Sequence, residues 1–165
     1  MKMQIINNIG PVYNEDSKIL ILGTIPSPKS RSAGFFYSHP QNRFWKVISI
    51  ILKSKMPSTI DEKKEMVLKH NIALWDVLAQ CEIEGADDSS IKNPVPNDFN
   101  DILANTQITK IFTTGQKATL LFNKLCSEYS YTAEYLPSTS PANCRLSEDK
   151  LVSEYKKILD HLKTI

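Results

Sequence analysis

The apolar positions of the chain follow two rhythms that alternate along it. Lys18-Ile-Leu-Ile-Leu-Gly23 is a short unbroken apolar run closed by glycine, which reads as a buried strand. Phe44, Trp45, Ile48, Ile51 and Leu52 then recur at helical spacing, and Pro40 stands where the first turn of that helix should begin. Thr59-Ile-Asp-Glu62 has the form of a capping box and opens a second helix that ends near His70. Residues 71–77 read as the second strand, 98–105 as a short helix and 108–115 as the third strand. A third helix carries Ala118, Leu121, Phe122 and Leu125 on one face. Residues 132–137 form the fourth strand, and Ser147 caps a last helix bearing Val152, Tyr155, Leu159 and Leu162.

Strands alternating with helices predict the α/β class: a four-stranded parallel sheet in a three-layer α/β/α sandwich. No repeat, low-complexity segment or linker interrupts residues 1–165, so a single domain is expected. Sheets of this kind hold their ligands beyond the carboxyl ends of the strands. Here those positions are residues 24–30, Asp76, residues 113–115 and residues 138–143, mostly polar and rich in Pro and Ser.

Composition narrows the class without fixing it. The chain has 165 residues, 41% hydrophobic and 23% charged, which is ordinary for a folded domain large enough to bury a sizeable core. No apolar run approaches a membrane span, and the first residues lack the form of a secretory leader, so a cytoplasmic protein without membrane contact is expected. Cys81, Cys126 and Cys144 are far apart and odd in number, which suits free thiols in a reducing compartment better than a disulfide framework or a metal site. Charge is uneven. Between Asp16 and Asp61 there is no acidic residue, while Lys18, Lys29, Arg31, Arg43, Lys46, Lys53 and Lys55 are cationic. The whole chain is only +2, so one contiguous quarter is basic and the remainder net acidic, a pattern that can present a local phosphate-binding face.

Two segments carry candidate chemistry. In the first, Gly23-Thr-Ile-Pro-Ser-Pro-Lys-Ser30 leaves a strand and Phe35-Phe-Tyr-Ser-His-Pro-Gln-Asn-Arg-Phe-Trp45 runs into a helix. A helix N-terminus suits a phosphate or a developing anion. Asn42 is expected in the first turn with its side chain at the mouth of the site, and Arg43 within reach of a phosphate. Phe35, Phe36 and Tyr37 cannot all be buried on one side of a loop, so at least one should face a ligand, where stacking on a base is the obvious use. The second segment, Leu136-Pro-Ser-Thr-Ser-Pro-Ala-Asn143, is a stiffened loop of small hydroxyl residues that would let backbone approach a phosphate chain.

Together these segments resemble the two motifs of the uracil-DNA glycosylase superfamily, and more narrowly its hypoxanthine-DNA (deoxyinosine) glycosylase family. The matching pieces are Gly23-Thr-Ile-Pro-Ser27, Tyr37-Ser-His-Pro-Gln-Asn-Arg-Phe-Trp45, Ile72-Ala-Leu-Trp-Asp-Val-Leu78, Pro96-Asn-Asp-Phe99 and Leu136-Pro-Ser-Thr-Ser-Pro-Ala142, in family order over most of the chain. The resemblance implies a monofunctional enzyme of base excision repair that hydrolyses the N-glycosidic bond of a flipped, deaminated base in double-stranded DNA, without cofactor or metal. It implies Asn42 as the catalytic residue, orienting the water or the base, and Tyr37 as the aromatic beneath the flipped base. Ser138, Thr139 and Ser140 would press into the minor groove, with Arg43 on the DNA backbone, while Thr24, Ile25 and Thr114 would line the pocket. A monomer is expected.

The departures bear on the substrate. Mismatch-specific relatives have Asn where this chain has Ile25, and uracil-specific relatives have an Asp in the first motif and His where Leu136 begins the second. These losses argue against an efficient uracil enzyme, and Thr114, standing where relatives often have an Asn before the glycine, bears on which base is selected. The departures leave two alternatives: a uracil/thymine mismatch glycosylase, and a nucleic-acid-binding domain that kept the fold without the activity. His39 reads as a structural or capping histidine, and Asp76 as a hydrogen-bonding residue beside the site.

Overall fold

The computed structural model describes residues 2–163, so the ends of the expected domain, Met1, Thr164 and Ile165, lie outside the described residues. Its elements run β1 (Met3–Ile6), β2 (Ile19–Gly23), α1 (Pro28–Ala33), α2 (Phe44–Ile51), α3 (Ile60–Lys69), β3 (Ile72–Asp76), β4 (Leu78–Glu84), β5 (Asp87–Pro96), α4 (Asn100–Ala104), β6 (Lys110–Thr114), α5 (Gln116–Leu125), β7 (Glu134–Leu136) and α6 (Glu148–Tyr155).

The central strand explains the layering. Successive side chains of a strand point to opposite faces, and β2 is apolar on both. Ile19 and Ile21 join Leu74 and Phe112 in a core closed by α2, α3 and α6. Leu20 and Leu22 join Ala73 and Ile111 in a second core against α4 and α5. The sheet is four-stranded and parallel in the order β3-β2-β6-β7, as the sequence predicts. Thr59 and Ser147 cap α3 and α6, each accepting a backbone N–H three residues on.

Three departures from the predicted elements shape the site. First, β1, β4 and β5 form a separate antiparallel sheet in the order β1-β4-β5, which helps α4 and α5 close the second core through Ile5, Cys81, Ile83 and Ile91. Its pattern is hard to read because β5 is mostly exposed, contains Pro94 and Pro96, and pairs through register shifts. Second, residues 28–33 are helical. Ser27 accepts from the N–H of Ser30, Pro28 occupies the first turn and Gly34, at φ +74°, ends it. Third, α2 begins at Phe44 and not at Pro40. Residues 39–42 form a turn closed by the Asn42 N–H on the His39 carbonyl, with Tyr37 ahead of it in the left-handed region at φ +53°. No helix among the described residues is long and apolar enough to cross a membrane.

Candidate active site

The carboxyl ends of the parallel strands open into a cavity of about 460 Å³, within the range of small-molecule sites. Its floor is a point where the backbone carries no side chain. A Cβ on Gly23 would lie 2.7 Å from Asp76 Oδ1, 3.5 Å from Tyr37 Oη and 3.8 Å from Thr114 Oγ1. Glycine therefore lets three oxygens from three different elements converge. The β2–β3 register, which sets Gly23 opposite Asp76, delivers the carboxylate to this point. Beyond it, Val77 and Leu78 donate to the carbonyls of Gly23 and Thr24, which carries β4 across the sheet edge and brings the β4–β5 turn, with Gly85 and Asp88, into the cavity wall.

Asp76 is 4% exposed. Its Oδ2 accepts from Asn7 Nδ2 at 3.2 Å, and the same amide donates to the Leu78 carbonyl at 3.1 Å. Burial pushes the carboxyl up to about 7, against the opposing effect of the Asn7 bond. Tyr37 and Thr114 form a short relay. The Thr114 hydroxyl faces the Leu22 carbonyl at 3.4 Å, so the Tyr37 hydroxyl is the donor across the 3.3 Å to Thr114 Oγ1. Burial raises the Tyr37 hydroxyl well above its ordinary value, and it stays neutral.

The aromatic run is divided by the backbone. Phe35 and Phe36 are each 2% exposed, in the core with Trp45, whose indole N–H donates to the Phe36 carbonyl at 3.1 Å. The positive φ of Tyr37 turns its side chain the other way, into the cavity wall. One face of its ring stacks on Phe44, with centroids 3.8 Å apart and planes 12° from parallel.

Asn42 also lines the cavity, though from the turn ahead of α2 and not from the helix's first turn. Its Oδ1 accepts the Phe44 N–H at 2.9 Å, so the amide presents its NH₂ as donor. Arg43 was expected on a phosphate. Its guanidinium instead donates to the carbonyls of Leu146 (2.7 Å) and Asn143 (2.9 Å), clamping the second loop to α2. Two other members of the basic quarter are also engaged within the protein, Arg31 with the Pro26 carbonyl and the exposed Lys46 in a surface ion pair with Glu148, while Lys29 lines the cavity.

The second loop is held from several sides. The Thr139 carbonyl accepts from the Arg43 N–H, the Pro137 carbonyl from the Tyr155 hydroxyl at 2.6 Å, and the Ser138 carbonyl from Asn143 Nδ2 at 2.8 Å. Ser138 and Ser140 are half-buried at the cavity. Thr139 corrects the expectation of a groove-facing residue. It is 1% exposed, and among the described residues its hydroxyl is the one buried side-chain oxygen or nitrogen without a hydrogen-bond partner. Thr24, Ile25 and Thr114 line the cavity as expected. His39 lines it too, with Nδ1 accepting the Gln41 N–H at 3.1 Å, a capping role within its turn. Asp76 is a hydrogen-bonding residue beside the site, as the sequence reads, while Asn7 and the β4–β5 turn carry no signal there. A lone acid closing an apolar strand was the available signal for Asp76.

A parallel α/β sheet whose carboxyl edge carries an aromatic, an amide donor and a buried carboxyl around one cavity places its candidate site where sheets of this class hold their ligands. The chain belongs to the uracil DNA glycosylase superfamily, whose family model matches residues 11–163. Similar curated proteins are two named hypoxanthine DNA glycosylase. The one from Methanosarcina acetivorans is 32% identical over 151 residues, 91% of this chain and 95% of that protein. The one from Methanosarcina barkeri is 33% identical over 143 residues, 82% of this chain and 86% of that protein. The solution NMR structure of a Methanosarcina acetivorans protein described as a uracil DNA glycosylase superposes with a TM-score of 0.83 at 29% identity, covering 98% of this chain and 100% of that one.

Proposed function

We propose that this protein is a monofunctional DNA glycosylase of base excision repair that removes hypoxanthine from deoxyinosine in double-stranded DNA. The observation that carries the reading is one cavity, at the carboxyl edge of the sheet, walled by both Tyr37 and Asn42. A flipped base entering it stacks on the Tyr37 ring, whose far face is already supported by Phe44. The Asn42 NH₂ donates to the base or to the attacking water, while Ser138 and Ser140 and the cation of Lys29 meet the distorted strand. The sugar passes through an oxocarbenium-like state that water captures, a reaction that requires no cofactor. The protein acts as a monomer in the cytoplasm.

The test is a cleavage assay on labelled duplexes that each carry one hypoxanthine, xanthine or uracil, followed by alkali to break the abasic strand. Scission at hypoxanthine and not at uracil is expected. Scission chiefly at uracil or at a mismatched thymine would replace the substrate. Binding without scission at any base would leave a nucleic-acid-binding domain.

A further inference from the structure

Breaking the bond between C1′ and the base sends the bonding electron pair onto the base, which departs as an anion unless it takes up a proton. Stacking on Tyr37 and donation from Asn42 do not supply one. The other protic groups of the cavity are poorly suited. With Thr114 turned to the Leu22 carbonyl, the Tyr37 hydroxyl donates its hydrogen to Thr114, and His39, whose Nδ1 accepts within its own turn, keeps an Nε2–H but lies on a half-exposed turn. Lys29 and Asp88 stand exposed at the rim, from α1 and β5, and although desolvation and Asp87 also raise the Asp88 carboxyl, Lys117 and a bond from Thr24 oppose the rise.

The geometry points to Asp76 as the proton donor to the departing base, an inference that rests on the glycosylase reading and adds the acid that makes the base a neutral leaving group. Its Oδ2 is held by Asn7, which fixes the plane of the carboxyl. Its Oδ1 is turned toward Gly23 on the cavity floor, where only the missing side chain of Gly23 leaves room for it. The end of β2 at Gly23, the end of β3 at Asp76 and Asn7, just after β1, therefore build one positioned carboxyl in the pocket. Burial then keeps the proton on it at neutral pH, since its carboxyl is pushed up to about 7.

The step balances. As the bond to C1′ breaks, its electron pair passes to the base, and the proton on Oδ1 moves to a ring nitrogen or the oxo oxygen of the base. Water adds through oxygen to C1′ and releases a proton, which returns to the Asp76 carboxylate directly or by exchange through solvent. The products are a neutral free base and an abasic sugar, with no net change in the enzyme.

The experiment is single-turnover excision of hypoxanthine from duplex DNA across pH 5.5–9 for the wild type, Asp76→Asn, Asn7→Ala and His39→Gln, each checked for folding by thermal melting. Wild-type rate should fall about tenfold per unit above pH ~7, as Asp76 ionises. Asp76→Asn is the same shape, keeps the contact to Asn7 and cannot transfer a proton. It should lose about 10²-fold or more at pH 6.5 and show no alkaline fall. Asn7→Ala removes the bond that favours the carboxylate, so its alkaline limb should move to higher pH, while His39→Gln should leave that limb in place. A folded Asp76→Asn with the wild-type rate and profile would overturn the inference, as would a wild-type rate that rises through pH 7. Wild type inert on every deaminated base would instead overturn the glycosylase reading itself, an outcome distinct from an active enzyme indifferent to Asp76.

Discussion

Asn42 performs two tasks with the two ends of one amide. Its oxygen holds the Phe44 N–H at the start of α2, which leaves the NH₂ as the donor that a cavity-lining Asn42 can offer a ligand. Substitutions can therefore separate folding from chemistry. Asn42→Ala loses both ends: stability should fall by about 1 kcal/mol, as for other lost caps, and single-turnover excision by about 10²-fold or more. Asn42→Asp retains the capping oxygen but has no NH₂, so its melting temperature should stay near wild type while excision is lost. Equal activity in Asn42→Asp and wild type, measured beside affinity for uncleaved DNA, would remove the donor role. Tyr37 illustrates a limit at the same scale. The sequence places three aromatics in a row, and only a backbone at φ +53° decides that the third faces the ligand.

At the scale of elements, the site depends on how two loops are tied together. Arg43 carries out that task by donating to the carbonyls of Asn143 and Leu146, with its own N–H on the Thr139 carbonyl. Asn-Arg-Phe-Trp was legible as a motif, but its arginine reads equally as a phosphate ligand, because a guanidinium satisfies carbonyls and phosphates with the same donors. Arg43→Met keeps the stem and removes the charge-assisted bonds. It should cost about 2–3 kcal/mol in denaturant unfolding and speed hydrogen exchange at the amides of residues 138–143. A phosphate ligand alone would predict unchanged stability and exchange, with weaker DNA binding. The short α1 falls in a segment that reads as a Pro- and Ser-rich loop, although Ser27, Pro28 and Gly34 carry its signal, a capped helix start and a glycine stop. The antiparallel sheet was not, because a strand exposed on most positions and interrupted by prolines has no period to read.

For the whole molecule, the buried Asp76 links the site to global stability. Its folded-state value, about 7, lies above the ordinary carboxyl range that the unfolded chain would show. A group raised on folding favours the fold below its unfolded value and loses that contribution as pH climbs through the folded value. Asp76 should therefore make the protein progressively less stable from about pH 4 to pH 7, by roughly 4 kcal/mol in total, with no further loss above. Asp76→Asn removes this dependence. Its stability relative to wild type should increase between pH 5 and pH 8, as read by unfolding free energies at each pH. A constant difference across that range would mean that Asp76 does not titrate there.

By itself the sequence determined the parallel sheet, its helices and the edge at which a ligand binds, because apolar period and capping residues are local properties of the chain. It also held the residues 24–30, Asp76, Thr114 and 138–142 that line the cavity. Only the tertiary structure decided their division of labour. Which oxygens meet over Gly23, which amide end of Asn42 is free, and whether Arg43 meets a carbonyl or a phosphate depend on register and burial between segments up to a hundred residues apart. Those contacts are set by packing, and a sequence records packing only in part.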